Sequence, residues 1–305
     1  MAEKLETPVK YTPNIWKGYI FPPYLTEEWL EQASSVFKPR DTDIFIASPP
    51  RSGIHWLTLI VYMLKKQEKL PKPYIGGLAL YLEIPHVDKL VIETLKGELN
   101  LPDGGELRLT KAIVEAYPDP RFFFTHFPYE FLPKNPATKY IYIYRNPKDI
   151  VVSMHNHFQD ERMHTIIGTF DEFFKLYIEN DCFNYCKHVK YYIEHKDDPN
   201  FFVLSYEELN KNFKTKVYEI ATFLGIQLSK EFYELLVQET NFETVHESEY
   251  IDDHKIVTKE SYCLLPKCKV GAWKSTLSQK YSEKIDEILL TKLGEDFIQK
   301  YISFS

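Results

Sequence analysis

Nine residues at positions 48–56, SPPRSGIHW, gather the side chains that an anionic ligand requires. Gly53 permits close backbone approach, Arg51 carries a fixed positive charge, Ser52 supplies a hydroxyl, and Trp56 offers a flat face for a base to stack on. The segment follows a short apolar run at 44–47 and precedes Leu57, Ile60, Val61 and Leu64, whose i, i+3, i+4, i+7 spacing predicts a helix. A strand that turns tightly into a helix presents unpaired backbone N–H groups, and the helix dipole adds positive potential there. Phosphate binding is one reading of such a turn; a structural turn whose Arg is merely solvated is the other. The Walker pattern G-x-x-x-x-G-K-[ST], with its magnesium chemistry, is not matched, which weighs against a P-loop kinase.

The elements that must position this loop are legible as runs rich in Ile, Val, Phe and Tyr. Residues 44–47, 121–125, 140–144 and 201–205 predict strands buried on both faces, too short and continuous to alternate in and out. After Arg145 and Asn146, Pro147 suits the first turn of a helix over 148–158. Further helices are predicted over 170–194, 214–223, 229–238 and 282–301. Strands separated by helices predict an α/β fold, a central and mostly parallel sheet flanked by helices. Residues 74–117 and 246–269 fit this scheme poorly and read as long loops, candidate lids over the carboxyl ends of the strands.

Composition bounds the partners. With 305 residues and a formal charge of −7, the chain is no nonspecific nucleic-acid coat protein. Its 44% hydrophobic and 27% charged residues are globular values, and no linker divides the chain, so one domain over 1–305 with a core at about 40–280 is expected. No stretch has signal-peptide or membrane-span character, which predicts a soluble, cytoplasmic protein without a membrane partner. Cys182, Cys186, Cys263 and Cys268 are too few for a disulfide scaffold, and their spacing lacks a paired C-x-x-C, so free thiols and no metal are expected.

The 48–56 segment resembles the T-Y-P-K-S-G-T-T-W loop of the cytosolic, PAPS-dependent sulfotransferases, which holds the 5′-phosphosulfate of 3′-phosphoadenosine 5′-phosphosulfate (PAPS). Further segments agree in order. Residues 144–153, YRNPKDIVVS, are similar to R-N-x-K-D-x-x-x-S, which implies that Arg145 and Ser153 clasp the 3′-phosphate. Thr125-His126-Phe127-Pro128, followed by Leu132-Pro133, resembles T-H-L-P…L-P and implies His126 as catalytic base, although a lone His at a strand end is more often structural. Tyr206-Glu207-Glu208 and Thr240-Asn241-Phe242 resemble nucleotide-contacting elements, implying that Tyr206, Thr240 and Phe242 hold the adenosine with Trp56. Gly271-Ala272-Trp273-Lys274 looks like the end of R-K-G-x-x-G-D-W-K, which places Lys267, Cys268 and Lys269 beside the 3′-phosphate. The resemblance spans about residues 16–280 and implies the P-loop-kinase-like sulfotransferase fold.

Departures from the pattern fall in the site itself. Arg51 stands at the catalytic Lys, Ile54 and His55 at two loop Thr residues, Phe124 at a second Lys, and Pro266-Lys267-Cys268 at R-K-G. The resemblance allows a homodimer, but its K-x-x-x-T-V-x-x-x-E pattern survives only as Lys274, Ser278-Gln279 and Glu283. The implied activity is transfer of a sulfuryl group from PAPS, leaving adenosine 3′,5′-bisphosphate (PAP), to a hydroxyl or amine of a small-molecule acceptor, with His126 and Arg51 as catalytic groups and no metal. The alternative is a non-catalytic nucleotide- or small-molecule-binding protein on the same scaffold. The resemblance puts His86, in the 84–88 segment, where the family often has an aromatic gate to the acceptor, a surface His on a loop being the alternative, and Phe127, Tyr129 and Phe158 are expected near the acceptor from their proximity to matched segments.

Overall fold

Each buried strand sorts its side chains between two faces. A computed structural model describes residues 12–35, 37–71, 78–83, 110–158, 169–241 and 270–302. Within it five strands form one parallel sheet: β3 (Ile44–Ala47), β4 (Leu80–Tyr81), β5 (Phe122–Thr125), β6 (Lys139–Tyr144) and β7 (Phe201–Ser205), in the order β4-β5-β3-β6-β7. Phe45, Phe123, Tyr140, Tyr142 and Phe201 pack on one face, while Ile44, Ile46, Phe122, Ile141, Ile143 and Leu204 pack on the other. The period-2 alternation of a strand thus puts an aromatic layer on one side and a mainly aliphatic layer on the other. Ring contacts cross four strands, with Phe45 to Phe123 at 4.6 Å, Phe45 to Tyr140 at 5.3 Å and Tyr140 to Phe201 at 4.7 Å.

Helices cover both faces. In chain order the described ones are α1 (Glu27–Ser35), α2 (Ile54–Lys66), α3 (Lys111–Ala116), α4 (Pro147–Phe158), α5 (Phe170–Glu179), α6 (Tyr185–Glu194), α7 (Tyr206–Lys211), α8 (Phe213–Phe223), α9 (Lys230–Thr240), α10 (Trp273–Thr276), α11 (Gln279–Leu293) and α12 (Glu295–Tyr301). The predicted α/β class and four of the sheet's strands are present, with β5 starting one residue later and β6 one residue earlier than expected. The hairpin of β1 (Asn14–Trp16) and β2 (Tyr19–Phe21) and the two-residue β4 were not expected, being too short to leave a periodic signal.

Two predicted helices divide. The helix expected over 170–194 is interrupted at Asp181, Cys182, Phe183 and Asn184, whose φ values of 54°, 51°, 49° and 66° are left-handed. Such residues cost roughly 1–2 kcal/mol each, and Asn184 supplies part of the compensation. Its Oδ1 accepts from Ile20 N–H at 3.0 Å and its Nδ2 donates to Ile20 O at 2.7 Å, which ties the break to β2. The helix expected over 282–301 breaks at Gly294, φ 81°, the residue type that adopts this conformation without steric cost.

Candidate active site

Parallel strands end together, and the carboxyl ends of β3, β5, β6 and β7 deliver the 48–53 loop, His126, Arg145 and Tyr206 to one edge of the sheet. The chain departs to either side of β3, so this edge is a topological switch point, where ligands of open α/β sheets bind. Gly53 caps α2 with φ 96° and no capping side chain, leaving the first-turn N–H groups of the helix to an anion. A Cβ at Gly53 would lie 2.6 Å from Tyr206 Cδ2, so the residue is required both by its backbone angle and by this close approach. Ser52 is fully buried and its hydroxyl has no hydrogen-bond partner.

Arg145 makes the strongest electrostatic statement in the site. The residue is 1% exposed, its guanidinium lies 4.6 Å from the Tyr206 ring, and its Nε and Nη2 have no hydrogen-bond partner. Asp149 approaches it only to 3.8 Å. That carboxylate instead accepts the backbone N–H of Gly271 at 2.8 Å and of Trp273 at 3.0 Å, fastening α10 to α4. A buried charge with unsatisfied donors is costly unless a ligand completes it, and an anionic group is the ligand it fits. The Ser52 hydroxyl, unpartnered in the turn that Gly53 closes against Tyr206, is a further buried polar group that an anion could satisfy. Arg51 Nε donates to Ser153 Oγ at 3.1 Å, so two side chains that the sequence reading assigned to opposite ends of the nucleotide are in direct contact.

His126 follows β5. Its Nδ1 lies 2.8 Å from Ser48 O, and because a carbonyl only accepts, Nδ1 carries the proton and Nε2 the lone pair. Burial lowers its pKa to about 4, opposed by the bond to Ser48 and assisted by the Arg51 charge. His55, in the first turn of α2, is held at about 3 by burial first and then by the charges of His126, Arg51 and His157. The two departures at 55 and 124 meet, with the His55 and Phe124 rings 5.4 Å apart and edge-on. Phe124 stacks on Tyr81 at 4.3 Å, and Tyr81 is edge-on to His126 at 5.6 Å. An aromatic wall therefore stands where the resemblance has a lysine, and it accounts for the desolvation of both imidazoles.

One face of α6 grips the same edge from behind. Tyr185, His188 and Tyr192, at i, i+3 and i+7, donate to the carbonyls of Arg145 at 2.8 Å, His126 at 3.1 Å and Phe127 at 2.9 Å. Because the His126 carbonyl only accepts, His188 carries its proton on Nε2, and its Nδ1 accepts from Tyr142 Oη at 2.9 Å. Sequence reading did not find this triad, nor Glu83. Their only signals were a polar stripe on an otherwise apolar helix face and one acid after the apolar stretch 78–82.

Other expected residues divide. Trp56 Nε1 donates to Thr240 O at 3.1 Å, and its ring is edge-on to Tyr206 at 5.7 Å and stacked on Phe213 at 5.4 Å, which gathers Trp56, Tyr206 and Thr240. Ile54 is buried at the start of α2. Phe158 packs among Phe173 at 5.7 Å and Phe183 at 6.2 Å. Two expectations for the acceptor pocket need correction. Phe127 has no exposed surface and packs edge-on against Phe21 in the core. Tyr129 stacks on His195 at 3.9 Å and lies 5.7 Å from Phe201, at the amino end of β7, so it occupies the opposite end of the sheet. His86, Phe242, Lys267, Cys268 and Lys269, like Cys263, lie outside the described residues. Cys182 and Cys186 are buried free thiols, and no helix among the described residues is long and apolar enough to cross a membrane.

Comparison with known proteins places this geometry. The amine sulfotransferase of Oryctolagus cuniculus is 27% identical over 305 residues, covering 96% of this chain and 94% of that protein. Sulfotransferase 4A1 of Homo sapiens is 28% identical over 302 residues, with 96% and 95% coverage. The crystal structure of mouse sulfotransferase SULT7A1 complexed with PAP superposes with a TM-score of 0.68 at 25% identity, covering 94% of this chain and 96% of that one. Retinol dehydratase in complex with androsterone and the inactive cofactor PAP shares the fold, with a TM-score of 0.72 at 24% identity and coverage of 92% and 88%. A family model described as the sulfotransferase domain matches residues 41–297. The chain belongs to the sulfotransferase family.

Proposed function

We propose that this sulfotransferase moves a sulfuryl group from PAPS to a hydroxyl or amine of a small-molecule acceptor, with His126 as the base. The carrying observation is the arrangement of His126 itself: Nδ1 is committed to Ser48 O, so the lone pair sits on Nε2, at the same sheet edge as a buried Arg145 with two unpartnered nitrogens. When the acceptor oxygen or nitrogen attacks sulfur, its proton passes to Nε2, a new bond to sulfur forms, and the bond from sulfur to the 5′-phosphate oxygen breaks. The leaving 5′-phosphate of PAP departs as an anion and needs no proton, so the charge of Arg51 and the N–H groups of the 52–56 turn suffice to receive it.

Arg145 and Ser153 face the 3′-phosphate in this reading, with Lys267, Cys268 and Lys269 completing that side. Trp56, Tyr206, Thr240 and Phe242 hold the adenosine, and Ser52, Gly53, Ile54 and His55 shape the 5′ site. The PAP bound in the mouse relative supports the donor assignment, and the name of the rabbit relative supports an amine as well as a hydroxyl acceptor. We assign no role to a metal, the whole chain to one catalytic domain with its core at about 40–280, His86 and Phe158 to the acceptor side, and the protein to the cytoplasm. The degraded pattern at 274–283 makes the family's homodimer the weaker choice.

The test is turnover with sulfur-labelled PAPS across a panel of phenols, alcohols and amines, with His126→Ala beside the native chain. The variant is expected to lose turnover at least a hundredfold while binding PAP within a fewfold of normal. Retained turnover would remove His126 from the base role, and no transfer by the native chain to any acceptor, with nucleotide still bound, would leave a binding protein.

A further inference from the structure

We propose that Glu83 is the positioning residue of the base: it fixes the peptide of His126 so that Nε2 faces the acceptor. The inference rests on the assignment of His126 above and deepens it. Glu83 lies two residues beyond β4, is 1% exposed, and has its own carbonyl anchored by Trp29 Nε1 at 2.8 Å. Its Oε1 accepts two hydrogen bonds, from Thr125 Oγ1 at 2.6 Å and from the backbone N–H of His126. Thr125 Oγ1 in turn accepts from Phe127 N–H at 3.0 Å, so the Thr hydroxyl hydrogen is directed to Glu83 and its lone pair to the next peptide.

The base is thereby held at every polar atom but one. Its N–H goes to Glu83, its C=O takes His188 Nε2 at 3.1 Å, and its Nδ1 goes to Ser48 O at 2.8 Å. Nε2 alone is left for chemistry. The carboxyl group is an expensive way to fill space, since its Oε2 is buried without a hydrogen-bond partner. No apolar residue at this position could accept from the His126 peptide, and loss of that acceptor orphans two donors in the turn that aims the ring. Misplacement of a reacting group by about 1 Å can cost on the order of a hundredfold in rate.

The experiment compares Glu83→Ala and Glu83→Gln in the full chain. Turnover is read with labelled PAPS and 2-naphthol or 2-naphthylamine, PAP affinity by calorimetry, and the His126 tautomer by nitrogen-15 NMR of histidine-labelled protein. Glu83→Ala is expected to lower kcat about tenfold to a hundredfold, with acceptor KM and PAP affinity within about twofold, and to erode the Nδ1–H signal of His126. Glu83→Gln, whose amide oxygen accepts in the same place, is expected to recover most of the lost kcat and to keep that signal. Native kcat and an intact Nδ1–H signal in Glu83→Ala overturn the proposal, as does a loss of PAP affinity in step with kcat, which marks a purely structural role. Should Glu83→Ala fail to fold, Glu83→Gln decides: loss of the Nδ1–H signal there is contrary to the proposal, and its retention with near-native kcat supports it. If neither acceptor is turned over, the NMR arm stands alone. Turnover by His126→Ala would sink the base assignment first, whereas an inactive His126→Ala beside a normal Glu83→Ala would sink only the positioning role.

Discussion

Arg145 shows how a site can be recognised by what its residues lack. A guanidinium that is 1% exposed, with two unpartnered nitrogens and its nearest carboxylate at 3.8 Å, is a standing cost in the ligand-free protein. Replacing it by Met should therefore leave the thermal midpoint of the ligand-free chain unchanged or higher. The same change should cost PAP roughly tenfold to a hundredfold in affinity, the worth of a charge-assisted pair, while AMP, which lacks the 3′-phosphate, binds as before. Calorimetry and a thermal melt check both halves; a lowered midpoint with PAP affinity intact would make Arg145 a structural residue. At this scale the sequence was informative where residues sit within a motif: Ser52, Arg145 and His126 were all named from the chain alone. Glu83 was not, because a single acid among apolar neighbours has no spacing to read, and its meaning lies in two hydrogen bonds to residues more than forty positions away.

Among the elements, the turn from β3 into α2 carries the tightest constraint. Gly53 holds φ 96° and has Tyr206 Cδ2 where a Cβ would be, at 2.6 Å. Gly53→Ala must strain the backbone and push Tyr206 off the Arg145 guanidinium; a loss of about 1–3 kcal/mol in stability is expected, with weakened PAP binding. Denaturant midpoints and calorimetry measure the two effects, and a variant with native values of both would contradict the close approach. The parallel strands were legible because continuous apolar runs of four to six residues have few other uses. The break at Asp181 to Asn184 was not, since the apolar spacing of 170–194 continues through it and the residue that ties it down, Asn184, binds Ile20, which is remote in sequence. That break lets α6 turn Tyr185, His188 and Tyr192 toward the carbonyls behind the site.

Over the whole molecule, the buried titratable groups set opposing pH dependences. His55, His126 and His188 have folded values of about 3, 4 and 3, lowered chiefly by burial from 6.5. Below pH 6.5 the unfolded chain takes up these protons and the native chain does not, so stability falls as pH drops, by roughly 1 kcal/mol per pH unit for each group. Glu83 is raised by burial from 4.5 to about 8, so its contribution is full below pH 4.5 and is lost as pH rises through 8. His155, lowered, and Glu207, raised, act in the same two directions. Stability should peak near pH 6.5 and decline toward both 5 and 8, which urea midpoints across that range would show; a steady rise to pH 8 would contradict the placement of Glu83. Calorimetric titration with PAP alongside AMP shows whether one sheet edge receives a nucleotide with a phosphate at each end. Tight binding of PAP is expected, with binding of AMP weaker by about tenfold or more. Equal affinity for the two, or binding of neither, would contradict it.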